Sequence, residues 1–142
     1  MRRVQRQGVL AIHTSTLDRP DLESAMSAVS WNLRLRLNPG QGDAMRVLMD
    51  DMIASTRQEP GCIDYGWFIN EAEGVVHINE TYTDAAAVMV HLGNFGSKFA
   101  ERFMGVFSPE GFTVFGPASA EVKSALAAFT PTYMATLGGF RR

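Results

Sequence analysis

From Ser30 to Asn38 the chain reads Ser-Trp-Asn-Leu-Arg-Leu-Arg-Leu-Asn, with Trp31, Leu33, Leu35 and Leu37 alternating against Asn32, Arg34 and Arg36. A period of two sends these sets to opposite faces, which predicts a half-buried strand. Asn38 to Asp43 carries Pro39, Gly40 and Gly42 and breaks the strand, leaving Asp43 as the expected helix N-cap. Met45, Leu48, Met49, Met52 and Ile53 then recur at helical spacing, with Arg46, Asp50 and Arg57 off the stripe. Pro60-Gly61 should end that helix near Glu59. Two extended runs, Cys62–Ile69 and Val75–Tyr82, flank a short polar stretch ending in Gly74 and read as a hairpin.

Thr83 or Asp84 is the expected cap of a second helix with Ala85, Val88, Met89 and Leu92 inward. Gly93–Ser97 should interrupt it, and 97–107 should resume helical character through Phe99, Phe103 and Phe107. A strand is expected at about 112–116. Ser119 then caps a last helix with Val122, Ala125, Leu126 and Phe129 inward, and a strand closes the chain. The order from residue 30 is β-α-β-β-α-β plus an appended αβ. This predicts an α+β fold: a ferredoxin-like split βαβ with an antiparallel sheet and a C-terminal helix-strand extension.

Residues 1–29 read as an N-terminal extension, a tail or a short helix over 20–28. Residues 30–142 form a single domain, with the αβ appendage from about 118. In the second strand, Ile63, Tyr65, Trp67 and Ile69 stand on one face and Cys62 and Phe68 on the other. Two-sided apolarity suggests a second sheet packed on the first, so a homodimer through sheet faces is expected.

Composition removes whole classes of function. A formal net charge of −2 offers no basic field for nucleic acid. No apolar run approaches the roughly 20 residues that span a bilayer, so no membrane partner is expected. One cysteine, Cys62, permits no internal disulfide and suits a reducing, cytoplasmic location. One cysteine and three scattered histidines give no metal-ligand spacing, and no nucleotide fingerprint or phosphate loop occurs. No metal or cofactor is expected.

Four stretches carry a family resemblance: Glu-Pro-Gly-Cys-Ile-Asp-Tyr-Gly-Trp-Phe from Glu59, Ile-Asn-Glu-Thr-Tyr-Thr-Asp-Ala-Ala-Ala-Val-Met-Val-His-Leu from Ile78, Ser-Lys-Phe-Ala-Glu-Arg-Phe from Ser97, and Phe-Thr-Val-Phe-Gly from Phe112. In order and spacing they resemble the antibiotic biosynthesis monooxygenase (ABM) domain family over about 31–117. The resemblance implies a dimeric α+β barrel. It also implies, as in some members, oxidation of a quinol or phenolic aromatic by dioxygen without a cofactor. A non-catalytic dimeric module that binds a small ligand is the alternative.

Matched position by position, the family's strand glutamate falls on Glu80, its following aromatic on Tyr82 and its helix histidine on His91. Glu80 and Tyr82 are the candidate catalytic residues, with Tyr65, Trp67 and His91 as candidate substrate-binding residues. The asparagine, tryptophan and tyrosine used by polyketide-oxidising members are replaced by Ile78, Tyr82 and Val88. The haem-degrading set also fails, since Leu33 stands where an asparagine is needed and no axial histidine occurs in 97–103. By alternation Glu80 emerges among Val76 and Ile78, where a carboxylate can move protons or pair with Arg34 or Arg36. The neighbours of Cys62, Glu59 and Asp64, disfavour a thiolate, so packing is its expected role. His91 lies off the predicted apolar stripe, which also fits a solvated or capping role.

Overall fold

The alternation read from Ser30 onward is carried into space. In β1 (Val29–Leu37) the side chains of Val29, Trp31, Leu33 and Leu35 are buried while Arg34 and Arg36 are exposed. The computed structural model describes residues 26–142. The N-terminal extension therefore lies, up to residue 25, outside the described residues. After β1 come α1 (Gly42–Arg57), β2 (Cys62–Asn70), β3 (Val75–Tyr82), α2 (Ala85–Lys98), α3 (Ala100–Val106), β4 (Phe107–Phe115), α4 (Ala120–Leu126), a 3-10 turn (Ala127–Phe129) and β5 (Thr132–Met134).

The strands form one sheet in the order β2-β3-β1-β4-β5. All pairings are antiparallel except β4–β5. This is the expected α+β, ferredoxin-like arrangement with a C-terminal helix-strand extension. The inward residues of β1 and β3 join Leu48 and Met52 of α1, Val88 of α2, Phe103 of α3 and Leu126 of α4 in one core. A side chain such as Leu48 contributes about 1.5–3 kcal/mol by leaving water. No described helix is long and apolar enough to cross a membrane.

Several expectations are corrected. Gln41, not Asp43, is the N-cap of α1, and Asp43 sits in its first turn. Helix α2 runs through Gly93 and Gly96 to Lys98. A helical glycine costs only about 1 kcal/mol, and the Asp84 carboxylate caps this helix at the Ala87 N–H, 2.8 Å away. The break comes instead at Phe99, between α2 and α3. Strand β4 begins at Phe107, earlier than expected, because a bulge absorbs Glu110: Arg34 pairs with Gly111 but Leu35 with Pro109. Ala125 is exposed, and the closing strand is three residues long.

A second bulge changes the reading of β2. Cys62 pairs with Tyr82 but Asp64 pairs with Thr81, so Ile63 is the extra residue. One added residue reverses the parity of everything before it, and Cys62 joins the face of Tyr65 and Trp67 rather than opposing it. The expected two-sided apolarity is thereby reduced. On the outer face Asn32 donates to Asn79 Oδ1 at 2.6 Å and lies 3.0 Å from His77 Nδ1, while Phe68 and Phe115 remain exposed. Arg34 and Arg36 both bind Glu110, whose carboxyl they hold below its usual range, Arg36 first. Neither arginine is the partner of Glu80.

Candidate active site

Strand register assembles the site. Glu80 of β3 pairs with Trp31 on β1 and with Tyr65 on β2, so a carboxylate and two aromatic side chains share the inner face of the sheet. Glu80 is only 5% exposed. A buried carboxylate needs its lone pairs occupied, and here three donors reach it. Trp31 Nε1–H donates to Oε2 at 2.6 Å, Tyr82 O–H donates to Oε1 at 2.6 Å, and His91 Nε2 lies 3.1 Å from Oε1. The Trp31 and Tyr82 rings stand 5.0 Å apart between centroids, and the Tyr82 and His91 rings 5.2 Å.

His91 comes from α2, three residues beyond the buried Val88 and on the same face. It is 5% exposed rather than solvated, which corrects the solvated or capping reading. Its other ring nitrogen, Nδ1, lies 3.0 and 3.2 Å from the two oxygens of Glu59, itself 7% exposed. Asn94, three residues further along α2, donates to Glu59 Oε2 at 3.2 Å. The turn that follows Glu59 brings the two elements close. A β-carbon on Gly61 would fall 2.4 Å from the Ala87 Cβ, and Ala87 lies four residues before His91 on one helix face. Pro60-Gly61 therefore both ends α1 and lets α2 approach until His91 meets Glu59.

Electrostatics follow from this geometry. Burial opposes the charged imidazolium, but hydrogen bonds to Glu59 and Glu80, and then their charges, outweigh it and lift His91 to about 9. At neutral pH both ring nitrogens of His91 therefore carry protons, one donated to each carboxylate. Burial first, and Glu80 second, push the Tyr65 and Tyr82 phenols upward, so both stay neutral, and Tyr82 donates to Glu80. Cys62 is lifted to about 11 by burial, then Glu80 and Glu59, which leaves it a thiol.

A cavity of about 40 Å³ opens beside Glu80 and His91. Its walls are aromatic and aliphatic: Trp31, Phe95, Phe103, Phe112 and Phe129 with Leu33, Met52, Ile78, Leu92 and Leu126. Phe112 meets Trp31 and Phe129 edge-on at 5.6 and 6.1 Å. Leu126 and Phe129 belong to the C-terminal extension, which thus closes one side of the site.

The five residues proposed from sequence fall into two groups. Glu80 and His91 line the cavity, and Tyr82 binds Glu80 from beside it. Tyr65 and Trp67 share the face of Glu80 but lie on its other side, toward the sheet edge. Tyr65 has its ring 6.0 Å from His91, and Trp67 packs on Phe107 at 5.8 Å. The Tyr65 hydroxyl and the Trp67 Nε1–H are buried with no hydrogen-bond partner among the described residues. Ile78 and Val88 are fully in the core.

Three participants were missed. Alternation puts Trp31 only on one face of a half-buried strand, although a buried indole N–H requires an acceptor and the facing strand holds Glu80. From sequence Glu59 marks the end of a helix and a charge beside Cys62, and nothing there pairs it with His91. Asn94 falls within the expected interruption, and no sequence signal marks it. No cluster of His, Cys, Asp and Glu among the described residues is arranged to hold a metal ion.

Comparison with known proteins agrees with this architecture. None of the curated proteins matches the chain. Among solved structures, MupZ from Pseudomonas fluorescens superposes with a TM-score of 0.73 at 24% identity, over 82% of this chain and 90% of that one. Rv0793 from Mycobacterium tuberculosis gives 0.52 at 27% identity, over 66% and 97% of the two chains. SnoaB, a cofactor-independent oxygenase from Streptomyces nogalater, gives 0.56 at 14% identity, over 66% and 96%. A family model, antibiotic biosynthesis monooxygenase, matches residues 29–100, which hold the β1, Glu59, Glu80 and His91 positions. The chain belongs to the antibiotic biosynthesis monooxygenase family.

Proposed function

We propose that the protein is a cofactor-independent monooxygenase that oxidises a quinol or other phenolic aromatic small molecule with dioxygen. The observation that carries this reading is the buried Glu80 carboxylate, held by Trp31, Tyr82 and His91 at the edge of an apolar, aromatic-walled cavity. A carboxylate has about four lone-pair sites, so three donors leave one for a substrate hydroxyl. Glu80 takes the phenolic proton, and the apolar walls keep water from the anion that results. The phenolate gives one electron to dioxygen, and the two radicals join to form a carbon–oxygen bond at the ring. The ring C–H proton then leaves as the O–O bond breaks. One oxygen atom stays as a carbonyl, and the other departs as water with the ring proton and the proton first taken by Glu80. Substrate plus dioxygen thus gives quinone plus water.

Tyr82 and His91 keep Glu80 aimed, and Trp31 serves both as donor and as wall. A cavity of about 40 Å³ accommodates dioxygen or a water beside Glu80. A ring system needs the wall formed by Phe112, Leu126 and Phe129 to give way. SnoaB, a cofactor-independent oxygenase of the same fold, supports the reaction class. Oxygen uptake measured with one-, two- and three-ring quinols, with mass spectrometry of the products, tests the reading. Uptake of one dioxygen per substrate with one oxygen atom retained is expected. Ligand binding without uptake would favour the non-catalytic module instead.

The protein acts, in this reading, as a homodimer joined through the outer sheet faces, where Phe68 and Phe115 are exposed among the polar ladder. Light scattering is expected to return twice the 15.6 kDa chain mass. A monomer mass would remove the dimer.

A further inference from the structure

We infer that Glu59 is a positioning residue for the Glu80 site: its carboxylate fixes the ring plane of His91 and keeps the Nε2–H aimed at Glu80. The inference rests on the reading of Glu80 as the working carboxylate. Its physical basis is separate. Surface carboxylates such as Asp51 and Glu110 pair with arginines. Glu59, in contrast, is buried at the end of α1, and its partners are His91 Nδ1 at 3.0 and 3.2 Å and Asn94 Nδ2 at 3.2 Å. Among the described residues no arginine or lysine bridges to it.

Such a carboxylate decides the protonation pattern of the imidazole. With an acceptor at Nδ1, that nitrogen must carry a proton; a neutral ring would then present a bare Nε2 lone pair to the Glu80 carboxylate 3.1 Å away. The second proton removes that repulsion, so Glu59 and Glu80 together favour the cation, as the lift of His91 to about 9 reflects. The other groups around the ring are Tyr82, Tyr65 and Trp31, with centroids at 5.2, 6.0 and 6.2 Å. The two phenols are neutral at these pH values, so no other charge among these neighbours competes with the two carboxylates. The pattern places one proton on each side of His91, at a point where Glu80 must later give up the proton it takes.

NMR titration of the imidazole nuclei of His91 in the full chain tests this directly, with Glu59→Gln and Asn94→Ala beside the wild type. The wild-type midpoint is expected near 9. In Glu59→Gln it should fall by about one to two pH units, the worth of one charge-assisted hydrogen bond. Asn94→Ala keeps both charges, frees Glu59 of a competing donor and loosens its grip, so a shift smaller than that of Glu59→Gln is expected. A midpoint in Glu59→Gln equal to that of the wild type, in a variant with wild-type near-ultraviolet circular dichroism, overturns the inference. If that variant does not fold, an unmoved midpoint in Asn94→Ala overturns it. Where oxygen uptake is present, its alkaline limb should move with the His91 midpoint. Absence of uptake in the wild type defeats the oxygenase reading alone, because the titration still decides the role of Glu59.

Discussion

Replacing Glu80 with glutamine is expected to lower oxygen-coupled turnover by about 10²- to 10⁴-fold, the usual worth of a positioned general base. The substitution preserves shape, and the protein should fold, because the hydrogen bonds can be redistributed. Trp31 Nε1–H can only donate, so it fixes the amide oxygen of the new side chain on its own side. The amide NH₂ then faces Tyr82 and His91. The Tyr82 hydroxyl can rotate to accept, and His91 can accept at Nε2 only by losing that proton, with Nδ1–H still donated to Glu59. The variant should therefore show two linked changes: loss of turnover, and a His91 titration midpoint well below that of the wild type. Turnover unchanged across the quinol panel would remove Glu80 from the role of base. A lost turnover with an unmoved His91 midpoint would mean that the two side chains are not joined as the distances require.

How far the site could be read from the chain differs residue by residue, and the differences have physical causes. The alternation around Trp31 and the helical stripe around Leu48 were legible because each element buries one face, and burial selects residue type at a fixed period. Glu80 was legible for the complementary reason, as a carboxylate at an inward position. Alternation alone puts Cys62 on the wrong face, because a bulge at Ile63 is invisible until the partner strand sets the register. His91 falls off a stripe defined by apolar side chains alone. The helix buries an imidazole there, its Nδ1 facing a carboxylate 32 positions earlier in the chain. The same long-range pairing hides the role of Glu59, whose local context gives a helix end and a charge near Cys62 but no histidine partner. Periodicity turns Phe129 inward, but that it walls the cavity beside Glu80 follows from how the C-terminal extension returns to the sheet, which periodicity does not encode.

The buried imidazolium also makes the protein's stability depend on pH in a defined window. His91 has an ordinary value of 6.5 when unfolded and about 9 when folded between Glu59 and Glu80. Because the folded value is the higher one, the folded state holds a proton that the unfolded state releases once the pH passes about 6.5. The stabilisation is thus complete below that pH and is lost as the pH rises through about 9, with a limiting slope near 1.4 kcal/mol per pH unit. Over the window the loss amounts to about 3 kcal/mol. Since a domain of this kind is stable by only about 5–15 kcal/mol, the change is large enough to read from urea midpoints. Cys62, lifted to about 11 from 9.0, opposes ionisation only above the window, so it adds a further loss at higher pH and does not mask the first. The expected result is a urea midpoint that falls steadily between pH 6.5 and 9, with the fall much reduced in Glu80→Gln, where His91 no longer donates at Nε2. A wild-type midpoint that stays level across the window would show that His91 is not cationic in the folded protein. In that event the arrangement of two carboxylates about one imidazolium, on which both the aim of Glu80 and the role of Glu59 depend, would have to be abandoned.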